Sequence, residues 1–204
     1  GFTVDSINLH NISDDYSNQT AEVSALVLTL LQTYDRTTLN EEEQLSYDIY
    51  QAHLENQLTW NTFQQFDYPA TYGFFGWPGS TEVFFTQAFT LSNKHQAEIY
   101  LALLNQLGRR FEQIEQLLDN RKAAGVIEPE ITLSYSRDLI DNIANQNATE
   151  TSYYRAFDEQ IAELTNISSI DKQALREALI LTIEQRVLPA YQQLSQKMAS
   201  LLTE

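Results

Sequence analysis

The residue types that most often carry chemistry are thin in this sequence. It has no cysteine and three histidines, so thiolate metal sites, iron–sulfur clusters, disulfides and cysteine nucleophiles are excluded within the chain. His95 and Glu98 stand three residues apart where a helical pattern begins and share a face, but two ligands fall short of the three protein ligands of a catalytic zinc site. His53 and Glu55 are two apart and point away from each other, and His10 lies in a polar lead-in. Asp14–Asp15 and Glu41–Glu43 are carboxylate clusters. Paired carboxylates do acid/base work when burial separates their pKa values. Neither has apolar neighbours that suggest burial, and they read as a solvated turn and a helix N-terminus. No Gly-x-Ser-x-Gly, phosphate-cradling glycine loop, dinucleotide fingerprint or His-Glu-x-x-His occurs.

The best candidate is aromatic. Residues 60–89 hold 11 of the 23 aromatics together with Gly73, Gly76, Gly79, Pro69 and Pro78. Tyr68, Tyr72, Phe74, Phe75 and Trp77, on a loop over 68–80 stiffened by Gly and Pro, could wall a substrate cleft for a peptide or another apolar ligand. The competing and more ordinary role for such rings is to plug a helical bundle as part of its core. Phe84, Phe85 and Phe89 are expected on a short helix that follows.

The elements that must position this loop are helical. Six Gly and four Pro in 204 residues leave few breakers. Val23, Leu26, Val27, Leu30, Leu31 and Tyr34 form an apolar stripe on a helix over 20–36. Asn40 caps the next helix, Glu41–Glu43 fill its first turn, and Leu45, Ile49, Ala52, His53 and Leu58 continue it to about 60. A long helix from Ser92 carries Tyr100, Leu104, Leu107, Phe111, Ile114 and Leu118 at alternating spacings of four and three, a seam for a partner helix. Gly125 ends it, and Pro129 opens a helix to about 145. A polar helix covers 150–164. The last runs from Ser169 to the end through Leu175, Leu179, Ile183, Val187, Tyr191, Leu194, Met198 and Leu201, with Pro189 expected to kink it. The fold class is therefore all-α: one domain over 1–204, a bundle of about six to seven helices with one long aromatic loop and a poorly patterned lead-in over 1–19.

Charge narrows the partners. Twelve Lys+Arg against 28 Asp+Glu give a net charge of -16, which repels phosphate backbones, so nucleic acid is not an expected partner. No stretch reaches 18 apolar residues, so no transmembrane segment is expected. The chain opens Gly1-Phe2-Thr3 without Met, which reads as a start after a removed segment. It closes at Leu201-Leu202-Thr203-Glu204 within a helical pattern, which predicts a following element.

The order of segments carries a resemblance. Leu45-Ser46-Tyr47-Asp48-Ile49 follows an acidic turn, and then come Tyr68-Pro69 with a Gly-rich turn, Tyr100-Leu101, Ala124-Gly125-Val126-Ile127 with Pro129, and Val187-Leu188-Pro189-Ala190-Tyr191 with Leu194. This resembles the N-terminal part of bacterial domain-of-unknown-function family 885. The family looks like a branch of the zinc metallopeptidases on a helical scaffold, with a metal motif of the form HEAxPGHxxQ. The resemblance places that motif downstream of this chain, so no residue here is carried over as a zinc ligand or general base. It implies a non-catalytic lobe forming one wall of a substrate cleft. Its partners would be the protein's own C-terminal part, which would hold the zinc (Zn), and a peptide substrate. It also implies a periplasmic or cell-envelope location as a lipoprotein, a cytoplasmic one being the alternative. Where the family commonly has Arg and Pro, this chain has Leu103 and Gly108. The competing reading is a free-standing helical interaction module without enzymatic activity.

Overall fold

A computed structural model describes residues 7–72 and 76–202. Most of the helices begin at a polar cap or follow an apolar period, and no strand occurs among the described residues. The α-helical segments are α1 Asp14–Leu31, α2 Glu41–Asn61, α3 Trp77–Val83, α4 Lys94–Leu104, α5 Leu107–Ala123, α6 Glu130–Ala144, α7 Ser152–Glu163, α8 Ser169–Thr182 and α9 Leu188–Leu202. A π turn over Ile183–Val187 joins α8 to α9 without a break, and only Asn105 and Gln106 separate α4 from α5. Taking each of those pairs as one rod leaves seven, in keeping with the all-α expectation.

Local chemistry sets the boundaries. Asn40 accepts from the Glu43 amide at 3.0 Å while the Glu43 carboxylate accepts from the Asn40 amide at 2.9 Å, a reciprocal cap on α2. Ser13 accepts from Tyr16 N at 3.2 Å, which starts α1 at Asp14 rather than near residue 20 as the pattern implied. Gly125 has φ 78°, and the pair Gly125 N to Lys122 O (2.9 Å) and Val126 N to Arg121 O (2.8 Å) closes α5 with a left-handed terminus. Pro189 lacks an amide hydrogen and its ring crowds the carbonyl four residues back. The π turn over Ile183–Val187 just before it widens the helix and takes up that conflict. The long helix expected from 92 to 125 is interrupted two residues before Gly108. There the Asn105 amide side chain bonds Leu101 O at 3.0 Å, competing with the helical ladder.

The described chain forms two compact units, one from residues 12–67 and one from the described parts of 1–11 and 68–204. In the larger unit α9 runs along α6 and α5, α4 along α8, and α7 along α8 and the π turn over Phe84–Ala88. The seam residues Tyr100, Leu104, Leu107, Phe111, Ile114 and Leu118 are all buried, as are Leu175, Leu179, Ile183, Val187, Tyr191, Leu194, Met198 and Leu201. Edge-on rings link these helices: Phe85 to Tyr100 at 5.1 Å, Phe85 to Tyr153 at 5.8 Å and Phe111 to Tyr191 at 4.8 Å.

In the smaller unit α1 and α2 pair as a hairpin. Here the apolar stripe expected to face a core does not do so. Ser24 of α1 and Leu54 of α2 are the buried positions, while Val23, Leu26 and Leu30 on α1, Tyr34 beyond it, and Leu45 and Ile49 on α2 are exposed. The helices meet on their smaller, more polar sides: Ser24 Oγ donates to Gln57 Oε1 at 3.0 Å and Ser17 Oγ to Asn61 Oδ1 at 3.2 Å. Arg36, after α1, forks onto Asp48 of α2.

Candidate functional site

The aromatic segment closes on itself before it meets α3. Trp77 N donates to Pro69 O at 3.2 Å, and a Cβ placed on Gly76 would lie 1.4 Å from Thr71 O. Only glycine permits that approach. The strand of chain between these points is tied down from outside: Thr71 Oγ1 donates to Glu128 Oε1 at 2.6 Å and Tyr72 N to Ser136 Oγ at 2.9 Å. The loop expected over 68–80 ends sooner than its composition implied. Gly76 takes the cap position and Pro78 the first turn, so residues 77–80 already belong to α3.

The five aromatic candidates part company. Tyr68 is exposed. Tyr72 is half-buried and its hydroxyl donates to Glu82 Oε2. Trp77 is half-buried beneath the Arg110 guanidinium, 5.1 Å from its ring centre, an arrangement that favours the cation. Phe74 and Phe75 lie outside the described residues. Of the described candidates Tyr72 borders open space, and Pro69 and Ala70 beside them are buried.

That space is a cleft of about 190 Å³. Its polar rim is Tyr72, Glu82 of α3, and Ser152 and Arg155 of α7, and its other side is α6 with Leu139, Asn142 and Ile143, followed by Gln146. Glu82 is held from two directions, by Tyr72 and by Ser152 Oγ at 2.5 Å to Oε1. Burial, followed by the bond to the Glu82 carboxylate, pushes the Tyr72 phenol well above its ordinary range, so it remains a proton donor at any physiological pH. Gln146 Oε1 is buried without a donor, and among the described residues Arg155 has no ion pair or side-chain hydrogen bond. The arrangement can bind and orient a ligand. Glu82, Ser152, Arg155 and Gln146 carried no sequence signal, because they come from three separate segments and match no motif.

A second cleft, beside Leu9 and Gln106, has about 20 Å³, room for a water and no more. The half-buried Arg110 guanidinium borders it and donates to His10 O, and burial pushes its pKa down to about 10.

The histidines do not converge. His95 Nδ1 lies 3.9 Å from Glu98 Oε2 on an exposed turn, and His53 stacks on Tyr50 at 6.5 Å. No group of three or more His, Cys, Asp or Glu able to hold a metal ion exists among the described residues. Their donor set does not fit the zinc that the sequence resemblance implies for the longer protein.

Glu128 is buried, with Oε2 unpartnered, and burial raises its pKa above the ordinary carboxylate value despite the Thr71 bond, which acts the other way. The folded chain therefore holds this proton to higher pH than the unfolded chain does. Between the two pKa values stability falls as pH rises. Relative to Glu128→Gln, which keeps an oxygen for Thr71, the wild type should gain stability as pH drops from 7 to about 4. Urea melts of both proteins across that range check this, and a gap that stays constant or moves the other way contradicts it.

Over residues 2–204 the sequence matches the family described as "Bacterial protein of unknown function (DUF885)". No curated protein matches it. The fold is similar to the crystal structure of the putative lipoprotein from Colwellia psychrerythraea, with a TM-score of 0.79 and 14% identity, over 94% of this chain and 34% of that one. At that identity the likeness is one of fold, and the chain spans about a third of that protein's length. No helix among the described residues is long and apolar enough to cross a membrane.

Proposed function

Because the chain belongs to the DUF885 family of bacterial proteins, we propose that it is the non-catalytic helical lobe of a longer, cell-envelope protein of the zinc-peptidase kind. It forms one wall of that protein's substrate cleft. The observation that carries this reading is the cleft between α6 and α7, where Tyr72 and Ser152 fix Glu82 and leave Arg155 unpaired beside it. On this reading the zinc would be held by the remaining part of the protein. The residues here would bind and orient substrate, and no hydrolytic step falls to them.

Asn142 is exposed on α6 and borders the cleft. Asn142→Trp fills the space while leaving the core untouched. In the longer gene product it should raise KM for peptides by about tenfold, the loss of roughly 1.4 kcal/mol of binding. Stability should change by less than about 0.5 kcal/mol, as usual for surface positions. An unchanged KM would sink the cleft reading.

A second reading, a helical interaction module, is favoured by the exposed apolar residues of the α1–α2 hairpin, with Leu26 71% and Ile49 61% exposed. On that reading Asn142→Trp changes nothing, and Leu26→Glu abolishes partner binding.

A further inference from the structure

Among the described residues Arg155 has no ion-pair partner, in a chain that has 28 carboxylates for 12 Lys and Arg. Several other basic residues meet acids, as Arg36 does Asp48, Lys94 Asp171 and Arg176 Asp158, while Arg109 and Arg186, like Arg155, have no ion pair among the described residues; what sets Arg155 apart is that it borders the cleft of about 190 Å³. The carboxylate sharing the cleft with Arg155 is Glu82, and it accepts from Tyr72 and Ser152 instead. Ser152 stands one turn before Arg155 on α7, so the helix that pins Glu82 also presents the guanidinium. Facing it, Leu139 and Ile143 stand one turn apart on α6 and supply apolar surface. Gln146 adds a buried carbonyl oxygen that lacks a donor.

These groups ask for a ligand with a carboxylate, an amide N–H and an apolar side chain close together. We infer that the cleft is a subsite for the C-terminal residue of a peptide. Arg155 would take the terminal carboxylate in the two-pronged geometry that a guanidinium favours. Gln146, whose side chain lines the cleft, would turn its buried Oε1 outward to accept the amide hydrogen, and Leu139 and Ile143 would cover the side chain. The size agrees: about 190 Å³ suits one residue and lies below the roughly 300 Å³ at which pockets take drug-sized molecules. The inference rests on the cleft-wall reading above and adds the part of the substrate that is recognised.

The test uses Ala-Ala-Leu, the same tripeptide as its C-terminal amide, and free leucine, titrated into the 204-residue chain by calorimetry or NMR. The acid should bind at least about tenfold tighter than the amide. Arg155→Gln should abolish that preference and Arg155→Lys should keep part of it, since a point charge replaces the fork. Arg155 is exposed, so both variants should fold, as near-UV circular dichroism will show. Free leucine should bind more weakly than the tripeptide because it lacks the amide. Equal binding of acid and amide, retained preference in Arg155→Gln, or free leucine binding as tightly as the tripeptide would each overturn the inference. If acid and amide bind alike and Asn142→Trp abolishes both, the subsite fails while the cleft wall stands. If neither binds and Asn142→Trp leaves KM unchanged in the longer protein, both fail.

Discussion

Tyr191→Ala is expected to cost about 3–5 kcal/mol, the usual range for deleting a buried aromatic ring. For a chain of this size that lowers Tm by roughly 6–20 °C. Tyr191 of α9 is fully buried, edge-on to Phe111 at 4.8 Å and 6.3 Å from Tyr153, and its hydroxyl shares a 2.7 Å hydrogen bond with that of Tyr153. The ring thus joins α5, α7 and α9, and its removal leaves a void that three helices would have to move together to fill. Tyr191→Phe separates ring from hydroxyl. It keeps the packing and strands the Tyr153 hydroxyl, at a cost of about 1–3 kcal/mol. Burial holds both phenols far above their ordinary range. Stability should therefore decline once pH passes about 10, where the unfolded chain sheds protons that the folded chain retains. Urea denaturation followed by far-UV circular dichroism measures each. A loss below about 1 kcal/mol for the alanine variant would show that the helices collapse around the gap, contrary to this account.

Gly76→Ala should do damage of another kind. The added carbon would fall at a covalent distance, 1.4 Å, from Thr71 O, so the loop cannot close. The conflict is one of space, since Gly76 has an ordinary φ of -91°. Opening the loop breaks the Trp77–Pro69 bond and pulls Thr71 from Glu128 and Tyr72 N from Ser136. Three hydrogen bonds at about 0.5–1.5 kcal/mol each imply a loss of roughly 2–4 kcal/mol. Unlike Tyr191→Ala, this change also displaces Tyr72 from Glu82 and so dismantles the cleft. Helix content should stay near wild type while tripeptide binding disappears. A variant that melts with the wild type and still binds would mean that the loop closes by another route.

The larger unit was legible from its periodicity because its helices obey the rule that the apolar stripe faces inward. Tyr100 through Leu118 and Leu175 through Leu201 are buried where the spacing put them. The same rule misled for α1. Val23, Leu26 and Leu30 lie on an apolar stripe, but a stripe does not say what covers it, and here the hairpin closes on Ser24, Gln57 and Leu54 instead. Composition located the aromatic segment but could not sort its rings, since burial depends on which way a closed loop turns them. Tyr72 borders the cleft, whereas Trp77 lies under Arg110. Arg155 and Gln146 were invisible for a different reason. What marks them is a missing partner, and partners across tens of residues cannot be counted before the fold is known.

We propose that this chain is the substrate-cleft wall of a longer zinc-dependent peptidase. The most direct measurement takes the gene product purified from its native host and determines intact mass, zinc content and peptide hydrolysis together. The account predicts a product about three times the mass of this chain, from the 34% share of its structural relative. It predicts about one zinc per chain, as in catalytic sites with three protein ligands, and hydrolysis that stops when a chelator removes the metal. A product near 23.4 kDa, or a longer one that binds no zinc and cleaves no peptide, would contradict it.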